Sequence, residues 1–160
     1  MLTVRKFQDQ DANAVTHLVA KTLRSSNAAD YSAAYLNKLV QRMTPAWFCE
    51  RAAATHFYVI CAGPTIIATG AIGPYWGRQD ESSLFTIFVD PQFQGRGCGR
   101  LIINTLEADP YFKRAHRIEI PASITAVNFY RRMGYHVKAG GPFPDEEGLY
   151  RLEKFRSGEG

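Results

Sequence analysis

The sequence predicts one domain, residues 1–160, with a mixed α/β or α+β fold in which helices pack against a β-sheet. Runs of apolar and β-branched residues, such as residues 84–89, alternate along the chain with segments whose apolar residues recur at helical spacing. The composition, 46% hydrophobic and 21% charged, is ordinary for a globular protein. A chain of 160 residues is also long enough to bury a core.

Capping residues in the N-terminal half predict three helices. Asp9 and Asp11 suit the start of the first helix, and Ser32 suits the start of the second. Pro45 favours the first position of a short third helix. Strands are predicted over residues 3–7, 56–61 and 65–72.

The C-terminal half continues the alternation of strands and helices. We predict a strand over residues 84–89, a helix from Leu101, a strand over residues 117–120, a helix over residues 124–133, and strands over residues 135–138 and 148–155. Asp109 and Pro110 are interpreted as a break after the helix that starts at Leu101.

The segment between strand 84–89 and the helix at Leu101 predicts an anion site. Asp90 and Pro91 end the strand, and glycines follow at positions 95, 97 and 99. Glycine allows a positive φ and lets a ligand approach the backbone. The first N–H groups of a helix have no partner inside the helix and point out of its end, where they favour an anion. We therefore predict that this turn binds a pyrophosphate.

The spacing of these glycines excludes two common nucleotide motifs. A dinucleotide fingerprint, G-x-G-x-x-G, would need a glycine at Arg100 or Ile102, and no G-x-x-x-x-G-K-[ST] occurs. Residues 94–99 instead spell Q-x-x-G-x-G, directly after V-D-P-x-F. This arrangement resembles the acetyl-coenzyme A signature of the GCN5-related N-acetyltransferase (GNAT) family.

A second segment strengthens the resemblance. Residues 122–135, ASITAVNFYRRMGY, are similar to the family's A-S-x-x-A-x-x-F-Y-x-x-x-G-[FY] pattern. Helix packing and a C-terminal glycine explain Phe129, Met133 and Gly134, but they do not explain Tyr130. The two segments cover roughly the C-terminal half of the chain. The resemblance implies a single GNAT domain with the acyl-CoA N-acyltransferase fold, a splayed central mixed sheet flanked by helices.

The resemblance also implies how acetyl-CoA, the cosubstrate, would bind. Coenzyme A enters the wedge between the central strand and the strand after the signature helix. Backbone groups of Phe88 and Val89 pair with its pantetheine arm, and backbone N–H groups of the turn hold its pyrophosphate. Ser123 contacts the coenzyme or caps a helix. The implied cofactor-binding residues are Phe88, Val89, Gln94, Gly95, Arg96, Gly97, Cys98, Gly99, Arg100, Ser123 and Asn128.

Two catalytic residues are predicted, an acid and a base. Tyr130 matches the position of the family's general acid, which protonates the departing thiolate, and a packing role is its alternative. Many relatives carry a glutamate where this chain has Ser83. Glu81 is our candidate base because it lies on the same strand face, and Glu119 is a second candidate. A surface role for each carboxylate, or an enzyme without a dedicated base, stays open.

The acceptor site is less defined. By resemblance it involves residues 25–43 and 73–82, which contain Tyr31, Tyr35, Tyr75, Trp76, Arg78, Asp80 and Glu81. Aromatic rings with carboxylates suit a cationic amine, whereas an arginine suits an acidic acceptor, and the sequence leaves both open. Trp47 and Phe48 are expected to pack in the core, with a substrate wall as the alternative. Tyr75 and Trp76 either cover the core or contact substrate.

The predicted function is acetyl transfer from acetyl-CoA to a primary amine of a small molecule, peptide or protein, by direct attack in a ternary complex. A non-catalytic acyl-CoA binding or sensor module of the same fold is the alternative. A third hypothesis, nucleic-acid binding, rests only on the net charge of +4, because the basic residues form no stripe.

Location and partners follow from weaker signals. Three cysteines without C-x-x-C spacing, and a start without an apolar signal region, predict a reduced, cytoplasmic protein. No apolar run approaches the roughly 20 residues that cross a bilayer. The four histidines are scattered along the sequence, so we predict no metal site. We expect no nucleic-acid or membrane partner, and a homodimer stays open.

Overall fold

A mixed β-sheet forms the centre of the computed structural model, which describes residues 1–75, 78–138, 144 and 148–156. Within these residues the sheet has seven strands in the spatial order β1-β2-β3-β4-β5-β7-β6. They are β1 (Leu2–Lys6), β2 (His56–Ala62), β3 (Thr65–Pro74), β4 (Glu81–Val89), β5 (Arg117–Ala122), β6 (His136–Val137) and β7 (Tyr150–Phe155). Neighbours are antiparallel except β4 and β5, which run parallel.

Six α-helices accompany the sheet in the described residues. They are α1 (Ala12–Ser25), α2 (Ala33–Arg42), α3 (Pro45–Ala54), α4 (Cys98–Glu107), α5 (Pro110–Arg114) and α6 (Val127–Arg132). Ser32 caps α2 as predicted, since its hydroxyl accepts a hydrogen bond from the Tyr35 N–H at 3.1 Å, and the Thr44 hydroxyl accepts one from the Trp47 N–H at 3.2 Å at the start of α3. These bonds satisfy N–H groups that lack a partner inside the helix. Asp11 is at the N-cap position of α1 but makes no side-chain capping bond to that helix, because its carboxylate pairs with Arg5 at 2.8 Å, and Asp9 lies in the preceding 3₁₀ turn.

The structure extends one sequence-based prediction of helices and corrects another. The break predicted at Asp109 and Pro110 is present, since α4 ends at Glu107, but these two residues also start α5, because the Asp109 carboxylate caps the Tyr111 N–H at 2.8 Å and proline occupies the first helical position. The predicted helix over residues 124–133 is divided into a 3₁₀ turn, Ile124–Ala126, and the shorter α6.

The sheet buries an apolar core on each face. On one face α4 packs against β3 so closely that a Cβ on Gly70 would lie 2.6 Å from a side-chain carbon of Ile102. On the other face α1, α2 and α3 cover a second cluster that contains the fully buried Phe48. The predicted core role of Phe48 is therefore confirmed. The two clusters fix β4 from both sides, so helices hold the strand that carries the site.

β4 and β5 pair over three residues and then separate. The parallel register runs from Glu81 to Ser83, and the rest of β4 has no partner on β5. An extra residue in β4 opposite β3 forms a bulge at Thr86, whose φ is +53°. The buried Thr69 hydroxyl donates a hydrogen bond to the Thr86 carbonyl at 2.8 Å and so holds the bulge. Because a bulge bends and twists its strand, it accounts for the wedge.

Cys49, Cys61 and Cys98 are all free thiols. No helix in the described part of the chain is long and apolar enough to cross a membrane. No group of three or more His, Cys, Asp or Glu side chains within those ranges could hold a metal ion.

Candidate active site

A cavity of about 880 Å³ opens where β4 and β5 separate. Its floor is β4 from Leu84 to Val89 together with Ile120 and Pro121 of β5. The turn before α4, α6 with the 3₁₀ turn that precedes it, and helices α1, α2 and α3 contribute the rest of the lining. The cavity therefore has a turn end, residues 94–100. It also has an arginine end, which is formed by Arg42, Trp47, Arg51 and Phe85.

The turn end presents backbone N–H groups. Gly95 and Gly97 have φ of +77° and +83°, and open space surrounds the position that a Cβ would occupy on each. Gly97 is the N-cap of α4. Among the described residues, no acceptor takes the N–H groups from Gln94 to Arg100, whereas Leu101 bonds back to Gly97 at 2.9 Å. An exposed helix N-terminus of this kind favours a bound anion.

Side chains around the turn have different roles. The Gln94 amide donates hydrogen bonds to the Ser26 hydroxyl at 2.7 Å and to the Val89 carbonyl at 3.3 Å, which ties the turn to α1 and β4. The guanidinium of Arg96 lies over the Phe93 ring at 5.4 Å and outside the cavity lining. Arg100 lines the cavity. Cys98 is 1% exposed in the core, where burial raises the pKa of its thiol.

The remaining predicted coenzyme contacts lie around the wedge. Phe88, Val89 and Ser123 line the cavity, whereas Asn128 is exposed and outside the lining. Ser123 makes no side-chain capping bond. Gly99 does not have a positive φ. A glycine is needed at this position because a Cβ would lie only 3.0 Å from the ring of Phe129. The turn and α6 therefore meet at the mouth of the wedge.

Tyr130 lines the same cavity as the turn. The residue is only 5% exposed, and its ring packs edge-to-face against Phe129 with ring centres 5.4 Å apart. Its hydroxyl has no hydrogen-bond partner among the described residues. Burial raises the pKa of the phenol, so the hydroxyl stays protonated and can donate.

The two candidate bases lie elsewhere. The Glu81 carboxylate accepts a hydrogen bond from Arg117 at 3.1 Å, and Glu119, 1% exposed, is bonded to Arg117 and Lys138. Burial opposes ionisation of Glu119, but the hydrogen bonds from Arg117 and Lys138 outweigh it and lower its pKa. Glu81, Glu119 and Ser83 are all absent from the cavity lining. The structure therefore does not bring these carboxylates together with Tyr130.

The arginine end contains residues that the sequence did not single out as a group. Arg51 lies with its guanidinium carbon 4.7 Å from the Trp47 ring centre and 5.0 Å from that of Phe85. Trp47 thus lines the cavity as well as packing against the second core. The four-residue spacing of Trp47 and Arg51 on a predicted helix was the available signal, since such pairs share a helix face.

The described residues of the loop before β4 do not line the cavity, although this loop was predicted to be part of the acceptor site. The Tyr75 ring lies 5.2 Å from the guanidinium carbon of Arg117, outside the lining, and Trp76 lies outside the described residues. Arg78 pairs with Asp80 at 3.2 Å, also away from the cavity. By contrast, the tyrosines of the other predicted acceptor segment, Tyr31 and Tyr35, line the cavity with their rings stacked at 5.2 Å.

Comparison with known proteins identifies the family. Residues 20–135 match the model of the acetyltransferase (GNAT) family, so the chain belongs to that family. A segment of 66 residues is 35% identical to an uncharacterized N-acetyltransferase of Methanocaldococcus jannaschii. The match covers 38% of this chain and 28% of that protein.

Solved structures show the same fold over nearly the whole chain. The PaiA N-acetyltransferase of Thermoplasma acidophilum in complex with coenzyme A has a TM-score of 0.82 at 14% identity, with 98% of this chain and 99% of that chain covered. A GCN5-related N-acetyltransferase from Rhodopseudomonas palustris has a TM-score of 0.79 at 18% identity, with 96% and 95% covered. The predicted fold and family are therefore confirmed.

Proposed function

We propose that the protein transfers an acetyl group from acetyl-CoA to a primary amine of a small molecule, peptide or protein by direct attack in a ternary complex. The observation that carries the proposal is that unpaired turn amides and the Tyr130 hydroxyl belong to one cavity at the wedge of the sheet. Acetyl-CoA is a thioester whose carrier contains a pyrophosphate. A transferase that uses it needs an anion site for the pyrophosphate and a proton donor for the departing thiolate.

The cosubstrate would bind largely through main chain. N–H groups from Gln94 to Arg100 would hold the pyrophosphate, and Arg100 adds positive charge beside them. The pantetheine arm would run along Phe88 and Val89, where β4 has lost its neighbour β5. An amide-bearing arm can there form hydrogen bonds like those of a missing strand.

The chemistry needs one bond formed and one bond broken. The amine nitrogen attacks the thioester carbon, the new C–N bond forms, and the C–S bond breaks as the tetrahedral intermediate collapses. Tyr130 gives its proton to the departing thiolate, the proton lost by the amine nitrogen goes to solvent, and Tyr130 regains a proton from solvent before the next turnover. Burial that disfavours a tyrosinate also disfavours a free thiolate in the same cavity. The pKa values of the phenol and the thiol are therefore raised together, and proton transfer from Tyr130 to the thiolate is not opposed by a large difference between them.

The identity of the base stays a prediction. Glu81 was the candidate from sequence, but its carboxylate is bonded to Arg117 at the paired end of β4. The described lining residues include no aspartate, glutamate or histidine. We therefore propose that the amine reacts in its neutral form without a dedicated carboxylate.

Thiol release tests the proposal. The protein is incubated with acetyl-CoA and a panel of primary amines, and free coenzyme A thiol is measured with acetylated product. Steady release that depends on an amine supports the transferase. Tight binding of acetyl-CoA without turnover over every amine would instead favour the acyl-CoA sensor.

A further inference from the structure

Two arginines line the arginine end of the cavity. Arg51 is on α3, and Arg42 is the last residue of α2. The ring under Arg51 belongs to Phe85, which precedes Val89 by four residues on β4. At about 3.3 Å per strand residue, Phe85 lies roughly 13 Å along β4 from Val89, and the turn begins only beyond Val89, at Gln94. Arg51 is therefore placed for the acceptor rather than for the pyrophosphate.

Aromatic rings, not a carboxylate, hold Arg51. The rings of Trp47 and Phe85 attract the guanidinium cation, but they offer no acceptor for its five N–H donors. Among the described residues, neither the Arg51 nor the Arg42 side chain has a hydrogen-bond or ion-pair partner. The donors of Arg51 are therefore available to a ligand in the cavity.

The surroundings of Arg51 favour an anion. Burial lowers the pKa of Arg51 from its ordinary value, and the neighbouring charge of Arg42 lowers it further. Both effects mean that the guanidinium cation is less stable here than in water. A carboxylate would relieve them, because guanidinium and carboxylate form paired, charge-assisted hydrogen bonds.

The rest of the lining agrees with an anionic group. Among the described residues that line the cavity, four are arginines and none is an aspartate or glutamate: Arg42, Arg51, Arg100 and Arg132. Asp80 and Glu81, which made a cationic acceptor attractive from sequence, are paired with arginines outside the cavity. A polycation would therefore meet only like charge from the charged side chains of this lining.

We propose that the acceptor is a small primary amine that also carries a carboxylate, bound through Arg51 and assisted by Arg42. Its apolar body would pack against Trp47 and against Leu39 and Met43, which line the same cavity and flank Arg42 in the sequence. The inference rests on the proposed function, because it names the acceptor class for the same transfer.

The test compares amine pairs that differ only in the carboxylate. Apolar α-amino acids and longer ω-amino acids are each assayed beside their carboxamides, and the ratio of kcat/KM for acid over amide is taken for each pair. Arg51→Gln should lower this ratio at least about tenfold, the loss expected for one charge-assisted hydrogen bond. Because each ratio is compared between variant and wild type, the different basicity of acids and amides cancels.

Arg114→Gln is the matched control. Arg114 also lies over an aromatic ring, that of Tyr111 at 4.6 Å, but it is exposed and outside the cavity, so its loss should leave the ratio unchanged. Arg51→Gln should also bind coenzyme A, measured by calorimetry, as wild type does. If Arg51→Gln does not fold, Arg51→Lys and Arg42→Gln carry the test, each with a smaller fall in the ratio.

The outcomes separate this inference from the proposed function. Acetylation of amines with acid-to-amide ratios that are the same in wild type and Arg51→Gln would overturn the carboxylate proposal and leave the transferase in place. Binding of acetyl-CoA by wild type without acetylation of any amine would overturn the transferase and the acceptor class with it.

Discussion

The turn end and the arginine end of the cavity are built from different parts of the polypeptide. The turn end presents main-chain N–H groups from one continuous segment, residues 94–100. The arginine end combines side chains from the consecutive helices α2 and α3 with Phe85 of β4, which is 34 positions after Arg51 in the sequence. A main-chain anion site needs glycines and the start of a helix, and these can be recognised in the sequence as a motif. A side-chain site assembled by packing leaves no motif, only a local signal such as the helical spacing of Trp47 and Arg51.

This difference predicts what mutation will do at each end. At the turn end most side chains can change without loss, and only residues that set the backbone matter. At the arginine end single side chains decide which amine is accepted. Tyr130 belongs to neither end and serves the reaction that joins them.

Removing the Tyr130 hydroxyl should have the largest effect. Tyr130→Phe should lower kcat about 100-fold, the usual loss for one general acid, and leave coenzyme A affinity nearly unchanged. Tyr135→Phe is the control, because it removes a buried hydroxyl that bonds Glu107 at 3.0 Å outside the cavity lining. Equal kcat losses in both variants would contradict the acid role.

The pH profile supplies a second check on Tyr130. Its raised pKa keeps the phenol protonated above the ordinary value near 10. Wild-type activity should therefore rise as the acceptor amine loses its proton, without a decline below about pH 10. A decline near pH 8 that disappears in Tyr130→Phe would place the tyrosine pKa too low for this role.

A backbone change at the turn should have an intermediate effect. Gly97→Ala puts a Cβ into the left-handed region, which costs roughly 1–2 kcal/mol of folding free energy, and fills space that the phosphate would occupy. We expect coenzyme A affinity to fall about tenfold or more, which corresponds to at least 1.4 kcal/mol. Calorimetry measures the affinity, and denaturant unfolding measures the stability.

Gly63→Ala separates strain from binding. Gly63 has φ of +60° in the β2–β3 turn, and open space also surrounds its Cβ position. The two variants should lose similar free energy of unfolding, but only Gly97→Ala should lose coenzyme A. If both bind coenzyme A equally well, the turn end is not the pyrophosphate site.

The smallest effect on catalysis is expected from Glu81. Glu81→Gln should change kcat by less than about twofold, because this carboxylate bonds Arg117 outside the cavity, and should lower the free energy of unfolding by roughly 1 kcal/mol. Glu50→Gln, at an exposed position on α3, is the control and should leave both quantities near wild type. A large fall in kcat with unchanged stability would restore Glu81 as the base.

The fold could be predicted from sequence where local signals agree. Ser32 and Pro45 start α2 and α3 as expected, because capping is decided within four residues. Asp109 shows the limit: Asp-Pro ends one helix and also starts the next, and only the structure shows α5. The bulge at Thr86 left no signal, because a positive φ at threonine depends on the hydrogen bond from Thr69.

The candidate site also contains residues that a local sequence signal could identify and residues that it could not. Gln94, Gly97 and Tyr130 could be singled out because they lie in two short motifs, and the structure places them around one cavity or its turn. Glu81 was chosen by strand periodicity, which gives the face of a residue but not its partner, and the partner is Arg117. Arg51 was not singled out, since its importance depends on Phe85, which is 34 positions away in the sequence.

The most direct test is a titration of the isotopically labelled protein, followed by amide NMR, with coenzyme A and with pantetheine, which lacks the pyrophosphate. Coenzyme A should shift the amide resonances of residues 94–100 strongly, and pantetheine should shift those of residues 86–89 while leaving the turn nearly unchanged. If coenzyme A binds and the amides of residues 94–100 stay in place, the main chain at the start of α4 does not hold the pyrophosphate.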